Sequence, residues 1–138
     1  MIEPPTTSSP AAINAVRALS RLSRIVERAS DELSFADYRV MSAISGGEAR
    51  ASRLASRLLL GKPTISSSVD SLSKRGLIVK SSVEGDNRAI ELGLSPEGAE
   101  LFARMEARMT RQLELLAERT PNAAQVLQSL GWMGDVIE

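Results

Sequence analysis

Between residues 62 and 75 the chain reads KPTISSSVDSLSKR, and its chemistry-bearing groups there are short hydroxyls between lysines. On a helix advancing ~100° per residue, Ile65, Val69 and Leu72 share one face. The opposite arc carries Pro63, Ser67, Asp70, Ser71 and Lys74, with Thr64 and Ser66 on its flanks. Serine is a mediocre helix former, so five serines between Ser66 and Ser73 make poor sense in a helix that only has to be stable. They suit a helix that enters a groove of double-stranded DNA. Short side chains let its axis approach base edges, and hydroxyls donate or accept toward bases and phosphates. An ordinary solvated polar face would have a similar composition.

A second group lies at Glu84-Gly85-Asp86-Asn87, read as the turn of a hairpin, with Arg88 just past its tip. An arginine on a narrow loop can enter a minor groove and sense its width and negative potential. Asp86 can accept hydrogen bonds from turn amides or from Arg88 and so hold the tip in shape. Asp70 reads as structural, pairing with Lys74 or a neighbouring arginine, because a free carboxylate facing phosphates would repel them. The chain's formal net charge is zero, yet from Arg50 to Ile90 eight basic residues stand against three acidic ones, a net +5 that leaves −5 elsewhere. That division marks one surface as attractive to polyanions.

The residues that are missing narrow the function as much. With no cysteine and no histidine, the chain has no thiol redox chemistry, zinc-finger ligation, Ser-His triad or histidine acid-base pair of its own. No glycine-rich phosphate loop or clustered carboxylate pair is present either, so neither an enzyme nor a cofactor is expected. The opening MIEPPTTSSP is the opposite of a secretory signal, and the longest run of large aliphatics is Leu58-Leu59-Leu60. A cytoplasmic protein with no membrane partner is expected.

The elements that must position these groups follow from periodicity. Ile13, Val16, Leu19, Leu22, Val26, Ala29 and Leu33 form one helical stripe from Ala11 to Leu33, with Arg17, Arg21, Arg24 and Arg28 beside it. As i,i+4 neighbours these arginines have Glu27, Asp31 or acids of the last helices as partners. A helix from Phe35 to Ser45 is capped by Ser34, carries Asp37 in its first turn and stops at Gly46-Gly47. A short helix runs from Arg53 to Leu60. The next, from about Lys62 to Arg75, tolerates Pro63 in its first turn and closes on Gly76. Leu77–Val83 and Ala89–Leu94 read as the two strands of the hairpin. Ser95-Pro96-Glu97 starts a helix carrying Leu101, Met105, Met109, Leu113 and Leu116 as far as Pro121. A final helix from about Asn122 aligns Val126, Leu130, Met133 and Ile137.

The fold class expected is mainly α with a small β-hairpin, a winged helix-turn-helix flanked by long N- and C-terminal dimerisation helices. Residues 1–10 are expected to be a disordered tail, 11–33 and 96–138 a helical dimerisation region, and 34–95 the DNA-binding lobe. In a chain of 138 residues the terminal stripes need more cover than one copy supplies, which makes a homodimer the expected assembly.

The stretch Asp86-Asn-Arg-Ala-Ile-Glu-Leu-Gly-Leu-Ser-Pro-Glu-Gly98 resembles the wing pattern D-x-R-x-x-x-L-x-L-[ST]-x-x-G of the MarR-type (multiple antibiotic resistance) transcriptional regulators at every fixed position. Leu54-Ala55, Thr64-Ile65-Ser66, Val69-Asp70-Ser71-Leu72 and Gly76-Leu77-Ile78 are similar to the same family's helix pair. The resemblance, which extends over nearly the whole chain, implies a triangular homodimer with two recognition helices in successive major grooves. Lys62, Pro63, Thr64, Ser66 and Ser67 would then contact DNA, with Asp86 and Arg88 as the wing pair; Ser71 and Lys74 lie on the same exposed arc. The family often has a serine where Gly61 stands and an arginine at Ser67 or Ser71, so this helix carries fewer cations than usual. The resemblance also implies a small aromatic acid or phenol as effector, in a crevice between dimer helices and lobe. Arg17, Arg21, Tyr38, Phe102, Met105 and Met109 are the candidate liners, and core packing is the plainer role of the apolar ones. A winged-helix module that binds protein is the alternative. The hydroxyl-rich helix disfavours it, because protein-binding faces use aromatic and aliphatic anchors.

Overall fold

The computed structural model describes residues 9–83 and 85–137. Helix α1 spans Pro10–Ala29: Ser9 caps it by accepting the Ala12 amide at 3.1 Å, and Pro10 occupies the first turn, where no amide is needed. Position 10 therefore belongs to the helix, not to the expected tail, whose residues 1–8 lie outside the described residues. The helix also stops short of Leu33. The Ser30 hydroxyl donates to the Leu33 carbonyl at 2.9 Å, and its amide to that of Glu27 at 3.1 Å, a local alternative to further helix. Leu33 still reaches the core, carried there by this turn.

Helix α2, Phe35–Ser45, has the expected bounds: the Ser34 Oγ accepts from the Asp37 amide at 3.1 Å, and Gly46 ends the helix. Helix α3 spans Ala51–Leu58, two residues earlier at each end than its periodicity suggests. Leu59 takes the left-handed conformation (φ 54°) that usually favours glycine, and the Arg39 guanidinium donates to the Leu58 carbonyl left free at the helix end. Helix α4 runs Lys62–Lys74, with Gly61 as its N-cap, Pro63 in the first turn and Gly76 (φ 74°) just past its Arg75 cap.

Strands β1 (Ile78–Val83) and β2 (Asp86–Leu94) form an antiparallel pair from Ile78↔Leu94 to Ser82↔Ile90, then shift register so that Val83 faces Asp86. The second strand thus begins three residues before the expected Ala89, since Gly85 (φ 81°) permits a tight reversal. The loop before α3 adds a short edge, through the Arg50↔Glu91 bridge and the Leu92 amide donating to the Ala49 carbonyl at 2.6 Å. Helix α5 covers Pro96–Ala117, and α6, capped by the Asn122 side chain, covers Ala123–Asp135.

One core joins the lobe to α5. Val40, Met41, Leu54, Leu72 and Met105 are its most deeply buried side chains, drawn from α2, α3, α4 and α5. Helices α1 and α6 bury no residue completely; Val16, Leu19, Trp132, Met133 and Ile137 are all exposed.

The passage from β2 into α5 fixes the relative placement of these parts. Ser95 donates through its amide to the Leu77 carbonyl at 3.0 Å and through Oγ to the Gly76 carbonyl at 2.6 Å, and Oγ accepts the Gly98 amide at 3.0 Å. A Cβ at Gly98 would lie 1.8 Å from the Leu77 carbonyl oxygen, which is backbone and cannot rotate away. Glycine to alanine normally stabilises a helix by about 1 kcal/mol. Gly98→Ala should instead destabilise by about 3 kcal/mol, the upper end for overpacking, with a matching drop in the midpoint of denaturant unfolding. A variant more stable than the parent would show that this close approach does not exist.

Candidate nucleic-acid interface

Helix α4 presents its polar arc outward. Ile65, Val69 and Leu72 are buried, while Lys62, Pro63, Thr64, Ser66, Ser67, Asp70, Ser71 and Lys74 are all exposed. Ser68 departs from the hydroxyl face: it turns inward beside Val69 and is only 6% exposed. A hollow of about 500 Å³ lies between the N-terminus of α2 and this face, lined by Ser34, Asp37, Thr64, Ser67, Ser68 and Ser71, among others.

The charges nearby are sorted by their partners. Among the described residues Asp70 pairs with neither Lys74 nor an arginine; its Oδ1 takes Lys80 Nζ of β1 at 3.1 Å. The strand brings Lys80 over the helix from ten residues away, and no helical periodicity could show that. Arg75 donates to the Glu32 carbonyl at 3.0 Å and Arg57 lies 3.6 Å from Glu48, so both are engaged within the protein. Lys62, Lys74 and Arg53 have no ion-pair partner among the described residues. On the wing, the backbone sets Asp86 and Arg88 at the start of β2, and their side chains lie outside the described residues.

The residues named as effector liners fall into two places. Tyr38 and Phe102 stack with ring centroids 5.4 Å apart and planes 18° from parallel, and Met105 and Met109 are buried in the same core. Arg17 and Arg21 lie on the outer face of α1, in a separate hollow with Asn14, Val16 and Ser20. Asp31, expected to pair within the first helix, reaches instead to Arg108 of α5 at 2.8 Å, and Glu32 lies 3.3 Å from Arg104. These pairs join residues more than seventy positions apart.

Residues 31–89, from the turn after α1 to the fourth residue of β2, match the sequence model of the MarR family. Over this winged-helix segment, less than half of its length, the chain resembles the MarR family. Among curated proteins no sequence relative matches. Solved structures of MarR-type regulators share the fold at low identity. The repressor CouR bound to a 23-mer DNA duplex superposes with a TM-score of 0.78 at 19% identity, covering 91% of this chain and 90% of CouR. Apo MarR from E. coli gives 0.76 at 14%, covering 96% and 100%. The PcaV regulator from Streptomyces coelicolor, in complex with its natural ligand, gives 0.69 at 20%, again covering 96% and 100%. Among the described residues, no helix is long and apolar enough to cross a membrane.

Sequence reasoning missed Glu106, which accepts the Tyr38 hydroxyl at 2.6 Å and ties α2 of the winged helix to α5. Burial, then the hydrogen bond to Glu106, then the carboxylate's negative charge all push the phenol well above its ordinary pKa of about 10. Tyr38 is the one tyrosine of the chain, so phenolate absorbance reports this contact alone. Its rise should begin well above pH 10 in folded protein, and Glu106→Gln should lower the midpoint only part-way, because burial remains. Because the folded value is raised, the contribution to stability is fully present below about pH 10 and is lost as pH climbs through the folded titration. An ordinary tyrosine titration near pH 10 in folded protein would refute the buried contact.

Proposed function

We propose that this chain is a sequence-specific DNA-binding transcriptional regulator, a repressor that binds a pseudo-palindromic operator as a homodimer. One observation carries the reading: α4 shows an outer face of hydroxyls, with Asp70 among them, bounded by Lys62 and Lys74 while anchoring itself through Ile65, Val69 and Leu72. Such a face can approach base edges closely, with side chains too short to prop the helix away. Thr64, Ser66, Ser67 and Ser71 face the groove, Lys62 and Lys74 meet phosphates, Pro63 starts the helix at the groove's edge, and Asp86 and Arg88 serve the wing. The DNA-bound state of CouR, a repressor of the same fold, supports this use of the surface.

Dimerisation is the second part of the reading. Exposed Val16 and Leu19 on α1, with Trp132 and Met133 on α6 and Ile137 just past its end, form more apolar surface than a soluble helix pair normally leaves open, and a second copy presents matching helices. An effector is the third. Because Tyr38, Phe102, Met105 and Met109 already pack against one another, a small aromatic or phenolic molecule would have to part the Tyr38–Phe102 stack or bind outside it, near Arg17 and Arg21. PcaV, crystallised with its natural ligand, makes small-molecule control a reasonable expectation for this fold.

Light scattering should give twice the chain mass at micromolar concentration; a stable monomer would exclude the dimer. Salt titrations on operator and scrambled duplexes divide the remaining roles. Arg88→Ala should weaken binding to both and lower the salt slope by about one unit per lost phosphate contact. Ser67→Ala should cost about 1 kcal/mol on the operator, little on scrambled DNA, and leave the slope unchanged. Neither exchange should shift the melting temperature much, and unaltered binding by Arg88→Ala would remove the wing from the interface.

A further inference from the structure

A carboxylate in the middle of a DNA-reading face needs a reason to be there. Asp70 is 64% exposed on the outer arc of α4, in a shallow hollow with Ser67, Ser71 and Lys74. Its Oδ1 is held at 3.1 Å by Lys80 of the wing strand, and no hydrogen bond to its Oδ2 is found among the described residues. Lys80 therefore does two things: it offsets a charge that would otherwise repel the phosphates, and it orients the carboxylate from the wing side.

An ionised carboxylate is acceptor-only. In the major groove the hydrogen-bond donors on base edges are the exocyclic amino groups, N4 of cytosine and N6 of adenine; guanine shows N7 and O6 and thymine shows O4, all acceptors. We propose that Asp70 is a base-selecting residue: its Lys80-held carboxylate requires an amino-bearing base at one position of each half-site and turns away guanine and thymine. This rests on α4 being the recognition helix. It gives Asp70 a role that the hydroxyls cannot fill, because a serine accepts and donates alike and tolerates either kind of base edge.

Binding-site selection from randomised duplexes tests it, with wild type, Asp70→Asn, Asp70→Ser and Lys80→Met, each checked by thermal melting. Wild type should enrich cytosine or adenine over guanine and thymine by about tenfold at one position per half-site. Asp70→Asn, which adds a donor, should admit guanine or thymine at that position and leave the rest of the motif intact. Asp70→Ser, matching its neighbours, should flatten the same position and serves if the amide does not fold. Lys80→Met, which frees the carboxylate without removing it, should blunt that preference and lower affinity for all sequences. A merely structural Asp70 would change affinity uniformly, so an Asp70→Asn or Asp70→Ser motif identical to wild type at every position overturns the assignment alone. Failure of folded wild type to select any sequence overturns the DNA-binding reading, and this inference with it.

Discussion

The main-chain carbonyl of Leu77 lies where a side chain at position 98 would begin, and the architecture depends on that place being empty. Leu77 leads from the turn after α4 into β1, and Gly98 belongs to the first turn of α5. Their contact fastens α4, the wing and α5 to one point. Ser95 closes it with three hydrogen bonds and is itself buried, so the bonds are shielded from competing water. The junction ties the lobe to α5 by a backbone contact and these three hydrogen bonds. If α4 meets base edges as proposed, the angle at which it does so is set here.

The other links between lobe and α5 differ in kind. Asp31–Arg108 and Glu32–Arg104 are exposed pairs, and such pairs contribute about 0–1 kcal/mol each. Their value is in geometry. Glu32 accepts Arg104 on its carboxylate and Arg75, at the end of α4, on its carbonyl, so one residue of the α1–α2 turn touches both α5 and the end of α4. Tyr38 adds a half-buried link, stacked on Phe102 and bonded to Glu106. Any molecule that parted this stack would act on the same span of structure that Arg75 joins to α4.

What the sequence made legible was what short-range chemistry decides. Ser34, Ser95 and Asn122 each cap the helix that begins after them, because an N-cap needs only a short acceptor three residues before an amide. The buried stripe Ile65-Val69-Leu72 follows from period alone. The misplacements have local causes that compete with propensity: the Ser30 hydroxyl ends α1 before Leu33, Leu59 accepts a left-handed cap without glycine, and Gly85 tightens the wing turn enough to lengthen β2. The candidate site was less legible than the fold. Lys80 against Asp70, Glu106 against Tyr38 and Arg75 against Glu32 join separate elements, and nothing in a helical or strand period brings such residues to each other's notice. Ser68, in the middle of a serine run, is buried because it falls on the side of α4 that carries Ile65 and Leu72.

The distribution of cations bears on how such a surface would bind. Of the eight basic residues between Arg50 and Ile90, Arg57, Arg75 and Lys80 already have acceptors within the protein. Lys62 and Lys74 at the two ends of α4, Arg53 on α3 and Arg50 just before it have no ion-pair partner among the described residues, and the Arg88 side chain lies outside them. A single lobe with so few free charges would release few counterions, and sequence-independent affinity for DNA rises with that number. In the proposed dimer, two lobes on one operator would double it without adding a residue, and linkage between them would make the second contact intramolecular. The hydroxyl face then has a favourable setting, because weak non-specific attraction leaves short-range complementarity to decide where the protein stays. A surface richer in arginine would hold any duplex more tightly and distinguish sequences less well. The scarcity of charge on α4 thus fits a protein whose selectivity comes from close approach, and close approach is what the fixed junction at Gly98 makes possible.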